Sequence, residues 1–166
     1  HTQRAQMAAL IVRAMGWGDE SWGNDFADRG QTSDSLWRNV GTLAHYGVTS
    51  GYDGTNFGPT DDVSQLQVIS FITRAMVAKG YWQRVTEDTP GLYADVSFAS
   101  GHRWDLLTYY QYAGTVPGTN HNQGYAAGTS PATRGWFARA LWQALNTYWA
   151  TDGTLPSGVP AGGFVP

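Results

Sequence analysis

The sequence predicts a mainly α-helical domain of repeated units joined by short turns and hairpins, on two observations. First, "TQRAQMAALIVRAM" (2–15), "VSQLQVISFITRAM" (63–76) and "ATRGWFARALWQAL" (132–145) superpose without gaps, and in each the apolar residues recur at i, i+3, i+4 and i+7. That spacing marks an amphipathic helix each time, and self-similarity at a long period marks a repeat architecture. Second, the flanks repeat as well: "FADRGQTSDSLWRNVGTLAHYGV" (26–48) matches "YADVSFASGHRWDLLTYYQYAGTV" (93–116).

In chain order, the first helix places Met7, Leu10, Ile11 and Ala14 on one face, with Thr2 or Gln3 at its cap. Phe26-Ala27-Asp28 and Trp37 then open a helical stretch that Gly47 stops. The turn that follows reads "TSGYDGTNFGPTDD". Asp53-Gly54, flanked by Tyr52 and Phe57, predicts a tight reversal. Asp61 and Asp62 sit where a helix N-terminus favours negative charge. The second helix starts on a capping box, Ser64 with Gln67 three residues on, and buries Val68, Phe71, Ile72 and Ala75. The next unit repeats the plan with Tyr93-Ala94-Asp95, Trp104 and a stop at Gly114, then a looser connector, "PGTNHNQGYAAGTSP". Thr133 caps the last helix, whose apolar face is Phe137, Ala140, Leu141 and Ala144. The units are 1–25 (the second half of a first repeat), 26–92, 93–149, and a Pro/Gly-rich tail or linker, 150–166, all within one compact domain.

Composition narrows the function. Apolar residues make up 42%, enough for a core. The net charge of −3 gives no basic balance for nucleic acid. With no Cys there is no disulfide, thiolate metal site or thiol nucleophile. No apolar run approaches the ~18 residues that span a bilayer, so no membrane insertion is expected. The abrupt helical opening at "HTQRAQ", without a signal peptide, reads as a mature fragment or a piece of a longer chain.

The pattern of 26–76 resembles the S-layer homology (SLH) family. The match is Phe26-Ala27-Asp28, Trp37, Leu43, Gly47-Val48, Gly51-Tyr52-Asp53-Gly54, Phe57 and Pro59, a combination far more specific than any one element. The resemblance implies a pseudo-three-fold helical domain on the outside of bacteria, with no enzymatic activity and no cofactor. Such a domain binds secondary cell-wall polysaccharide, often pyruvylated, and anchors extracellular proteins. It also implies that the Arg of the family's T-R-A-E motif meets the acidic sugar. That position holds Arg4, Gln65 and Arg134 here, and the Glu position holds Gln6, Gln67 and Trp136. At most two sites therefore keep the cation. Arg4, Arg134, Gln65, Gly51 and Tyr52 form the candidate glycan-binding set.

The residues supply a physical reason beside the resemblance. A helix's first turn carries free N–H groups and positive partial charge, so an Arg there is misplaced unless an anion or an Asp is near. Trp and Tyr rings nearby suit sugar faces. Trp17, Trp22, Trp82 and Trp136 read as surface or interface aromatics, Trp37 and Trp104 as core. "HRWD" (102–105) suggests an acid–base pair but falls at a repeat-equivalent Trp, which favours a structural role. The four His show no metal spacing, and the Asp-rich turn lacks the spacing of an EF-hand. A glycosidase needs two facing carboxylates, and nothing marks such a pair. The rival to glycan anchoring is self-assembly into an extracellular filament or array, with further copies engaging the half repeat and the tail.

Overall fold

A computed structural model describes residues 1–18, 22–88, 92, 93, 95–97, 99–117 and 130–152, with side chains to residue 147. Five helices carry the fold: α1 (Arg4–Ala14), α2 (Asp34–His45), α3 (Gln65–Ala78), α4 (Gly101–Ala113) and α5 (Arg134–Asp152), with a 3-10 turn at Arg29–Gln31. The protein is mainly α, and no strand of more than a single bridge occurs among the described residues. The connector 118–129, Glu20, His121 and the tail beyond Asp152 lie outside the described residues, and with them the tail-mediated assembly contact. The last helix runs past residue 149, so the first three residues read as tail are its final turn.

The repeated helices begin in strict register. Val63 donates its N–H to Thr2 O (3.0 Å), Ala132 to Val63 O (2.8 Å) and Thr2 to Ala132 O (3.0 Å). Three residues at repeat-equivalent positions thus close a ring of main-chain bonds, all buried. Two residues after each, a helix starts. Outside the ring the packing pairs α1 with α2 and α3 with α4, while α5 lies against α3 and α4.

Caps follow the sequence with one departure. Ser64 Oγ accepts from Gln67 N, and Gln67 Oε1 accepts from Ser64 N, which completes the capping box. Thr133 Oγ1 accepts from Trp136 N. At α1 neither Thr2 nor Gln3 caps with its side chain; Gln3 occupies the position by backbone alone. Its orphan N–H groups are met by the chain instead: Arg4 N donates to Asp61 O and Ala5 N to Pro59 O, both at 3.0 Å.

Gly47 ends α2 as expected, with φ +69° and two return bonds, Val48 N to Leu43 O and Gly47 N to Ala44 O. Gly16 and Gly80 close α1 and α3 in the same way. These closures correct the reading of Trp17 and Trp82 as surface aromatics: both are buried, at 8% and 4% exposure. The turn after each glycine folds the chain back on the helix. Trp17 then stacks on Tyr46, and Trp82 stacks on Tyr112 with its Nε1 donating to Thr147 Oγ1. Trp37 is buried as expected.

The core is continuous through α3, whose Val68, Phe71, Ile72 and Ala75 are all buried. The first helix departs from its predicted face. Met7 and Ile11 are buried, but so are Ala8, Ala9 and Val12, while Leu10 is 36% exposed. Lying against both α2 and α3, α1 buries its small residues there and leaves Leu10 on a groove wall.

Candidate functional site

The hairpin 49–61 is held from three sides. Inside it, Thr49 Oγ1 accepts from Gly51 N, and Tyr52 N donates to Asn56 O. Asp53 Oδ1 accepts from Thr55 N and Asn56 N, both at 2.8 Å. Those bonds, Asn56 N first, hold the Asp53 carboxyl below its ordinary range. From below, Asp28 accepts from Phe57 N (3.1 Å) and Gly58 N (2.7 Å). From the side, Arg4 Nε donates 2.7 Å to Phe57 O. The F-x-D aspartate is therefore the pin of the hairpin, reaching 29 and 30 residues along the chain.

Gly51 sits where the hairpin turns tightest. Its φ is +77°, and an added Cβ would lie 2.5 Å from Asn56 O and 2.8 Å from the Phe26 ring. Gly54 has φ +79° but open space around it. Gly51→Ala is expected to cost about 2 kcal/mol or more, and Gly54→Ala about 1 kcal/mol of strain alone. Urea midpoints of the two variants check the order; equal midpoints would contradict the contact geometry.

The three repeat-equivalent positions differ in kind. Arg4 is 3% exposed, its guanidinium 4.1 Å from the Tyr52 ring centre, 4.7 Å from Phe57 and 5.1 Å from Phe71. Burial lowers its pKa, while Tyr52 and Asp61 pull the other way; an arginine stays charged under such a shift. This is a cation–π cage, with Tyr52 as a half-exposed lid. Gln65 is half-buried, its N–H on Ser130 O at 2.9 Å. Arg134 is exposed. It stands with Arg13, Gln6, Leu10 and Leu36 around an open groove of about 230 Å³ between the head of α5 and α1. Tyr52 and Gly51 thus join Arg4, and Arg134 joins α1. Two cations line the Arg134 groove and no acid does, on a chain of net charge −3.

A charged cluster lies elsewhere, at "HRWD". Asp105 is 1% exposed and accepts from Arg74 Nε at 2.8 Å, with Arg84 Nη2 3.4 Å from its other oxygen. Arg103 is equally buried and pairs with Asp88 at 2.8 Å. The sequence offered one signal for this cluster: Trp104 is followed by an acid where Trp37 is followed by Arg38.

His102 Nδ1 shares a 2.6 Å hydrogen bond with Ser70 Oγ. Burial, then the charge of Arg74, holds its pKa below 6.5. The folded state therefore disfavours the imidazolium. As pH falls through 6.5 the unfolded chain takes the proton first, so His102 subtracts stability from there down to its folded pKa. His102→Asn is expected to flatten that slope of melting temperature against pH; a slope identical to wild type would contradict it.

Residues 26–69 match the family model for the S-layer homology domain, which supports the SLH resemblance of this region. Comparison with curated proteins and with solved structures returned no match. SLH domains are non-catalytic modules that associate with the bacterial cell surface by binding cell-wall polymers. No described helix is long and apolar enough to cross a membrane.

Proposed function

We propose that this chain is a non-catalytic module holding an extracellular protein at the cell wall by binding acidic secondary cell-wall polysaccharide. The carrying observation is the Arg134 groove: two arginines, amide and apolar walls, and an exposed helix start. A carboxylate there meets guanidinium donors and the positive end of α5 together. Tyr52, propped by Arg4 and shaped by Gly51, offers a separate stacking face for a sugar ring. Arg4 acts from below that face, and Gln65 marks a middle position that offers amide hydrogen bonds without charge. The main-chain ring at Thr2, Val63 and Ala132 supports one domain with its units at 1–25, 26–92 and 93–149.

Co-sedimentation with purified cell walls tests the reading. The chain should pellet with walls that retain their secondary polysaccharide and stay in solution with walls stripped of it. Equal pelleting with both would refute it.

A further inference from the structure

The second groove, between the C-terminus of α2 and the α3–α4 pair, encloses about 450 Å³. Tyr46, Thr49 and Ser50 line one side, Arg74 and Arg84 the other, over an apolar floor of Val77 and Ala78. Asp105 at its base is buried to 1%, and its Oδ1 accepts no hydrogen bond. Packing alone does not ask for an acid here, since the repeat-equivalent residue is the exposed Arg38. A buried carboxylate does have one clear effect: it fixes two guanidinium groups at a groove wall. Arg74 gives Asp105 only its Nε. The Arg84 Nη2 makes two contacts of 3.4 Å, to Asp105 and to Gly101 O. Each guanidinium has five N–H donors, so most remain without a protein acceptor among the described residues. Two arginines against one aspartate leave the groove with one positive charge. Tyr46, 38% exposed and backed by Trp17 at 4.3 Å, adds a ring braced for stacking.

We propose that this groove is a second anion site, in which Arg74 and Arg84, positioned by Asp105, bind an oxyanion carried on a sugar of a wall polymer, with the sugar ring packed near Tyr46. The identity of the carrier rests on the wall-polymer reading above; the anion site does not. Carboxylate and phosphate share the required chemistry, and the test separates them.

The test titrates the chain, followed by amide chemical shifts, with an oligogalacturonate, a glycerol-phosphate oligomer and neutral maltotriose. One anionic probe should bind saturably, and maltotriose should not; the probe that binds identifies the source. Arg84→Gln, at an exposed position that folding tolerates, should weaken that binding about tenfold. Arg38→Gln, at an exposed arginine that lines neither groove, should leave it unchanged. Asp105→Asn should weaken it while both arginines remain, and Arg84→Gln keeps the test valid if that variant fails to fold. The proposal is overturned if neither anion saturates, if maltotriose binds equally, or if Arg84→Gln matches wild type. Loss through Arg134→Ala while Arg84→Gln binds as wild type would place the anion in the other groove and overturn it. A chain that ignores cell walls yet binds the probe through Arg84 would refute the anchoring function and keep this site.

Discussion

Asp28→Ala lowers the melting temperature by about 6–12 °C, as followed by circular dichroism. The side chain is 8% exposed and accepts from two main-chain N–H groups, those of Phe57 and Gly58. Removing it strands both donors, one of them in a residue with no exposure at all. Buried donors left unmet cost about 1–3 kcal/mol each, and their bonds here are charge-assisted. A loss of about 3 kcal/mol corresponds to that shift for a domain of this size. Asp28→Asn keeps one acceptor and should lose about half as much. A change below about 2 °C for the alanine variant would show that the hairpin stands without its pin.

Arg134→Ala weakens binding to acidic wall polysaccharide about tenfold to a hundredfold and leaves the melting temperature within about 1 °C. The binding loss follows from one charge-assisted contact worth about 1.5–3 kcal/mol. The unchanged stability follows from exposure: Arg134 makes no ion pair among the described residues. Arg4→Ala should behave in the opposite sense. It removes a caged cation and the donor to Phe57 O, so it destabilises the fold first and affects binding through Tyr52. The two variants, matched in motif position, separate an arginine that holds the protein from one that meets a ligand.

That separation was not legible in the sequence, where Arg4 and Arg134 occupy the same place in the repeat. The difference is made by a hairpin nearly fifty residues downstream of Arg4, which folds back over the start of α1. Helix positions, the capping box and the glycine stops were legible because each depends on residues within a few positions. The partner of Asp28 was not, because the F-x-D motif shows only the pin and not what it holds. Trp17 and Trp82 were misplaced because a glycine closure reverses the chain just before each of them. The Arg74–Asp105–Arg84 cluster joins α3, α4 and the loop between them, and only "HRWD" hinted at it.

The arrangement also explains the middle position. With Gln65 at the head of α3, that helix start offers no charge, whereas α1 buries its cation and α5 exposes its own. Three equivalent positions thus hold a buried cation, a neutral amide and an exposed cation.

The most direct measurement is a calorimetric titration of wild type and Arg134→Ala with the wall polysaccharide, before and after its acidic ketal groups are removed. Wild type should lose about tenfold in affinity when the acid groups go, and Arg134→Ala should lose clearly less, because the two changes share the contact at Arg134. If Arg134→Ala binds the intact polymer as wild type does, or stays fully sensitive to loss of the acid groups, the groove at the head of α5 is not where this protein meets its glycan.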